Sequence, residues 1–288
     1  MSFKRITGIL LITLGVLLGL FQTLLVGIAA LKGYWLIHEW LFYFINYLII
    51  FFLFVVGALV FAEGNKKWAL LLYAFAFTIA NSTFFYYMGN VNLLVVESED
   101  GQHEVIIKEY KKMKKETVRL VRRGAVFSKE VAVFKGSSDF KAFEEGRYKI
   151  GWTSGDIAAV TYQTDRNGVL DQQIFNFRSS DYVRYQNVAV SLTGKWIEQS
   201  NPENYFMSDN NEMVYVKDGQ LYYYNIRNTE QFGIYSVLVK GAGTAPTLSI
   251  VLNAGTEFDD SSIADGGTIT ITPLSLGKTE GGVYKKEE

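Results

Sequence analysis

The stretch 6-ITGILLITLGVLLGLFQTLLVGIAAL-31 carries neither a charged residue nor a proline, and its reading decides the fold. A helix rising ~1.5 Å per residue needs roughly 20 apolar residues to cross ~30 Å of hydrocarbon. Two further runs, Leu41–Ala62 and Trp68–Met88, meet the same condition, and no proline stands before Pro202. Backbone N–H and C=O groups find no water in lipid, so each run is expected to form one continuous helix. The expected fold class is an α+β membrane protein. Residues 1–90 form a three-helix transmembrane anchor with helices at about 6–31, 41–62 and 68–88. An all-β extracytoplasmic region of two antiparallel modules follows, a sandwich over 91–190 and a barrel over 191–288.

Charge divides the chain at the same place. Lys4, Arg5, Lys32, Lys66 and Lys67 stand against only Glu39 and Glu63 in residues 1–90, while the remainder is slightly acidic. Lys4–Arg5 and Lys66–Lys67 fall on one side of a three-span layout. The positive-inside bias then expects a multi-pass plasma-membrane protein with a cytoplasmic N-terminus and everything beyond Gly89 outside. Tyr34, Trp35, Trp40 and the run Phe84–Tyr87 suit the aromatic belts at the interfaces. A cleaved signal peptide is the rival reading of the first run, but the run exceeds a usual apolar core and two more spans follow.

Gly15, Gly19, Thr23 and Gly27 recur every four residues and read as a small-residue stripe for helix packing, either a homodimer seam or a contact inside the bundle. Gln22, Asn46 and Asn81–Thr83 are uncharged polar residues at membrane depth, suited to interhelical hydrogen bonds or to a solute path.

From Val91 the apolar period becomes two. Asp100-Gly101, Asn167-Gly168 and Asp218-Gly219 mark hairpins, since such dipeptides tolerate positive φ. Strand-like runs include Thr117–Val121, Val126–Phe134, Tyr182–Leu192, Gly233–Lys240 and Thr247–Leu252; only Phe140–Glu145 invites a helical turn. The last module opens Leu192-Thr193-Gly194-Lys195-Trp196, continues as a Tyr-rich meander and closes on Gly282-Val283-Tyr284-Lys285-Lys286. With Gly194 and Trp196 as its signature, it resembles the small lipocalin-like β-barrel modules of bacterial envelope proteins. That resemblance implies an up-and-down barrel closed at one end by the Trp, with an apolar ligand inside in some members. Read from its residues alone, it is a small antiparallel β module with a buried Trp.

Lys108, Lys111, Lys112, Lys114, Lys115, Arg119, Arg122 and Arg123 crowd eight cations into sixteen positions. Outside the membrane they could touch anionic lipid or a wall polymer, or form a solvated hairpin tip. Nucleic acid is excluded as a partner by the acidic balance of the β region and by its expected location. Asp259, Asp260 and Asp265 lack any calcium-loop spacing and read as a polar loop. With no cysteine and only His38 and His103, thiolate sites, redox dithiols and most histidine chemistry are closed, and no nucleophile motif accompanies His103. No cofactor, metal or catalytic residue is therefore expected. The function expected is a non-catalytic binding, interaction or sensing protein of the bacterial envelope, whose partners are the bilayer and another membrane or envelope component, with a homo-oligomer left open. An accessory subunit of a transporter or toxin-immunity system, acting through its helices, and an envelope hydrolase are the alternatives.

Overall fold

The computed structural model describes residues 3–60, 66–153, 155–178, 185–209, 211–259, 262–279 and 281–287. By its internal contacts the chain forms two compact units, one of residues 1–95 with 105–134 and one of residues 96–104 with 135–288.

The first unit holds three long helices, α1 (Phe3–Lys32), α2 (Trp40–Val60) and α3 (Lys66–Phe84), each long and apolar enough to cross a membrane. One π-helical turn, Phe85–Gly89, extends α3. A Cβ on Gly89 would lie 2.6 Å from the Tyr43 ring, so glycine admits this close approach. The polar residues at membrane depth meet one another. Gln22 Nε2 donates to Asn46 Oδ1 at 2.8 Å, Asn46 Nδ2 to Asn81 Oδ1 at 2.9 Å, and Asn81 Nδ2 to the Tyr43 carbonyl at 3.1 Å. This relay ties all three helices with amide groups that would otherwise face hydrocarbon unpaired.

Within the chain the glycine stripe meets another helix only in part. A step of four residues turns a helix by ~400°, so the stripe drifts about 40° per step. A Cβ on Gly15 would meet Phe52 of α2 at 3.9 Å, whereas nothing lies within 4 Å of one on Gly19 or Gly27. Thr23 is exposed and donates its hydroxyl to the Gly19 carbonyl. Close approach between α2 and α3 falls instead at Gly57, which lies against Leu70.

The same unit carries a five-stranded antiparallel sheet. Its strands are β1 (Trp35–Leu36), β2 (Val91–Glu97), β3 (Glu104–Tyr110), β4 (Val118–Arg123) and β5 (Phe127–Val133), in the order β1-β5-β4-β3-β2. Strand β1 is the loop between α1 and α2, which was expected only to place aromatic side chains at an interface.

The second unit contains a three-stranded sheet of β6 (Tyr148–Thr153), β7 (Ile157–Gln163) and β8 (Leu170–Asn176). After a short helix, α4 (Val188–Ser191), come β9 (Gly194–Glu198), β10 (Tyr205–Asp209), β11 (Glu212–Lys217) and β12 (Gln220–Asn225). The chain continues through β13 (Thr229–Phe232), β14 (Ser236–Val239), β15 (Leu248–Leu252), the small hairpin β16 (Phe258–Asp259) and β17 (Ser262–Ile263), β18 (Thr268–Pro273) and β19 (Gly282–Lys286). Nine of these strands form a nearly closed barrel-like sheet, ordered β12-β11-β10-β9-β19-β18-β15-β14-β13, in which the last strand pairs with the first. Trp196, Phe206, Tyr215, Ile250, Ile271 and Tyr284 are almost fully buried in its core.

Local chemistry explains the departures from expectation. Of the run Tyr182–Leu192, residues 182–184 lie outside the described residues and the remainder is not a strand: Val188–Ser191 is helical because the Asn187 side chain accepts from Val190 N. All three turn dipeptides join strands, but only Asp218-Gly219 has positive φ at both residues, 51° and 75°. At Asn167-Gly168 the Asp165 carboxylate accepts from the backbone of Asn167 and Val169, and glycine alone takes positive φ. Phe140–Glu145 does form a turn.

Glu198 is buried in the barrel, held by Asn204 Nδ2 at 2.6 Å and Lys217 Nζ at 2.7 Å. Burial pushes its carboxyl upward, but the Lys217 and Asn204 hydrogen bonds outweigh that, and the net shift is downward. A depressed folded pKa contributes stability above the unfolded value and loses it as pH falls through the folded one. Lowering pH from about 6 to about 3 should therefore lower the unfolding midpoint, and Glu198→Gln should flatten part of that slope in calorimetric scans. In the helices, Asn46→Leu should cost ~1–2 kcal/mol, read as a lower melting temperature in detergent.

Candidate functional site

The most densely bonded polar cluster of the first unit is built where the α1–α2 loop meets the sheet. Gly33 has φ 62°, which turns the chain out of α1, and Tyr34–Glu39 then run along β5. Trp35 pairs with Ser128 and Leu36 with Phe127; Ile37 N donates to the Val126 carbonyl, and Ser128 Oγ donates to the Trp35 carbonyl. Ile37 is 1% exposed. The loop is thus an integral strand.

Strand β3 presents Lys108 to this loop. Its side chain is 0% exposed, and Nζ donates to Glu39 Oε1 at 2.5 Å and to the Leu36 carbonyl at 3.0 Å. Tyr110 donates its hydroxyl to the same Glu39 oxygen at 3.2 Å. Two ammonium groups lie near the Trp35 ring, Lys115 at 4.0 Å and Lys108 at 5.8 Å from its centroid. Burial pushes the Lys108 ammonium below the ordinary lysine value, and Glu39 pulls it part of the way back. Burial also lowers Lys115, helped by the positive charge of Lys108. The Tyr110 phenol is pushed up by burial and by Glu39.

The eight cations therefore do not share one surface. Lys108 is withdrawn into the ion pair, where it can reach no anionic lipid or polymer. Arg119 is largely enclosed, and burial lowers its guanidinium to about 10. Lys112 lies 5.7 Å from the Tyr86 ring centroid. Lys112, Lys114, Arg122 and Arg123 are exposed and Lys111 half-buried, so the expected contact is confined to the tip after β3 and to the end of β4. Sequence reasoning missed Glu39 and Trp35; their signal was a lone acid and an aromatic pair in a short loop.

Other expected features have plain structural roles. Gly194 adopts φ 119°, and the fully buried Trp196 donates Nε1–H to the Leu192 carbonyl at 2.8 Å, tying α4 to β9. Ser98, Asp100 and His103 come together, but as a turn. Ser98 Oγ donates to Asp100 Oδ1 and accepts from the His103 backbone, while the imidazole stacks 4.8 Å from the Phe177 ring. The Ser98 hydrogen bond chiefly lowers the Asp100 carboxyl. Asp260 lies outside the described residues, and among the described residues no group of three His, Cys, Asp or Glu could hold a metal ion. Comparisons with protein families, with curated proteins and with solved structures give no match.

Removing one member of a buried pair leaves the other charge without compensation. Glu39→Leu should destabilise the protein by ~3–5 kcal/mol, whereas Glu39→Leu with Lys108→Met should recover much of the loss, both read from thermal melts in detergent.

Proposed function

We propose that this protein is a non-catalytic binding or sensing protein of a bacterial plasma membrane, multi-pass, with its N-terminus in the cytoplasm and its β region outside. The observation that carries this reading is the ladder between β1 and β5 with the Glu39–Lys108 pair. Three crossings require the α1–α2 loop and the chain after α3 to emerge on one side of the membrane. The two segments are hydrogen-bonded to each other, as that layout needs. Lys4, Arg5, Lys66 and Lys67 then fall on the opposite, cytoplasmic side.

Through the same junction a load on the sheet of the first unit reaches α1 and α2 by backbone hydrogen bonds and a buried ion pair, not by a slack linker. That stiffness suits reporting of a bound state to the helices. The final module is read as a lipocalin-like barrel, supported by Gly194, Trp196 and the closure of β19 onto β9. Its core is filled by its own aromatic and aliphatic side chains, which favours a structural barrel over one holding an apolar ligand. The non-catalytic reading rests on the turn geometry of Ser98–His103 and the scarcity of Cys and His. The exposed cations at the tip after β3 remain suited to an anionic headgroup or wall polymer.

The chain has no cysteine, so single cysteines report cleanly. Tyr223 and Lys67 are both exposed. In intact cells a membrane-impermeant maleimide should label Tyr223→Cys, and should label Lys67→Cys only after permeabilisation. The reverse pattern would overturn the orientation.

A further inference from the structure

Within the second unit, one face of the β6–β7–β8 sheet and the outward faces of β15, β18 and β19 enclose a cleft of about 470 Å³. That volume lies within the ~300–1,000 Å³ usual for small-molecule sites. On the barrel side, alternation sends Ile250 and Ile271 into the core and turns Ser249, Thr270 and Thr272 to the cleft. Ser249 and Thr272 are direct cross-strand neighbours, and neither hydroxyl has a hydrogen-bond partner among the described residues. A Cβ on Gly281 would fall 2.3 Å from Thr272 Oγ1, so glycine there keeps the Thr272 hydroxyl uncovered.

The opposite wall supplies the second, independent observation. Gln172 is 5% exposed; its Nε2 donates to Thr161 Oγ1 at 2.9 Å, but its Oε1 accepts from nothing among the described residues. Leaving such groups unpaired is costly, and native structures satisfy them. No carboxylate lines the cleft among the described residues. The one cation among the described lining residues, Lys149, gives two N–H groups to the Gly277 and Thr279 carbonyls.

We infer that this cleft binds a neutral polyhydroxylated ligand, a sugar or sugar-like ring. Such a ligand brings donors and acceptors in mixed array, as Gln172 Oε1 and the Ser249 and Thr272 hydroxyls require. Its C–H faces suit Ala159, Val251 and Val283, which interrupt the polar lining. A phosphorylated or carboxylate ligand would meet a single, already engaged ammonium among the described residues, and an apolar ligand would leave Gln172 Oε1 and the Ser249 and Thr272 hydroxyls unpaired. This assignment rests on the binding reading above and gives that reading a ligand class.

The test uses the full chain in lipid nanodiscs free of sugar detergents. Titration calorimetry and saturation-transfer NMR are run with methyl glucoside, N-acetylglucosamine and myo-inositol, with glucose 1-phosphate and decanoate as contrasts. At least one neutral probe should bind, and Gln172→Leu should weaken it at least about tenfold. Because Gln172→Leu could disturb folding, Gly151→Val provides a second variant. Gly151 lines the cleft with nothing within 4 Å of its Cβ position and no positive φ, so valine fills the cleft without a clash. It should abolish binding with the melting temperature unchanged. Three results would overturn the assignment: no neutral probe binding to the folded wild type, binding that survives both variants, or preference for the phosphate or the fatty acid. Labelling of Tyr223→Cys in the same cells keeps the two readings apart. A labelled protein that binds no sugar loses only the ligand assignment, and an unlabelled one loses the envelope reading whether or not sugar binds.

Discussion

An ammonium group placed out of water must find oxygen atoms, and in the first unit this requirement governs everything around it. Lys108 sits on a strand buried on both faces, between Ile107 and Glu109. Its oxygens come from Leu36 and Glu39, 72 and 69 residues earlier in the chain. The sheet can bury β3 only if the α1–α2 loop folds back over it. That loop in turn can reach β5 only if the helices deliver it to the side from which the chain leaves α3. Helix arrangement, loop conformation and sheet packing are thus bound to one charge pair.

Much of this arrangement was legible. The helices follow from uncharged length, and the hairpins at Gly101, Gly168 and Gly219 from turn chemistry. The Gln22–Asn46–Asn81 relay follows from the cost of bare amides in lipid. What escaped reading is non-local. A two-residue strand has no period to detect, so Trp35–Leu36 looked like an interfacial aromatic pair. Lys108 looked like one of eight surface cations because its alternation along β3 places a charge where apolar residues flank it, and only the partner strand shows that the position is buried. Valine-rich 188–191 looked extended because β propensity is weak beside an Asn cap. Within the chain only Gly15 of the glycine stripe meets α2, because a repeat of four runs ahead of the helical turn and winds off that face.

The second unit shows how one strand can serve two purposes. In β15, Leu248, Ile250 and Leu252 fill the barrel, while Ser249 and Val251 turn outward and line the cleft. All five are buried, so the strand reads as a continuous core segment and the polar cleft leaves almost no trace in composition. Scattered threonines on β18 are the only hint, and threonine is also a common strand former.

The two-residue strand β1 bears on how the β region can be produced and handled. A fragment beginning after α3 would lack Trp35, Leu36 and Glu39. The start of β5 would then offer unpaired N–H and C=O groups along an open edge, beside Lys108 deprived of its carboxylate. Open edges of this kind recruit strands from other molecules. Detaching the five-stranded sheet from its helices therefore does not yield a smaller version of the same object: it removes the sheet's own cap, and self-association is the expected behaviour of what remains.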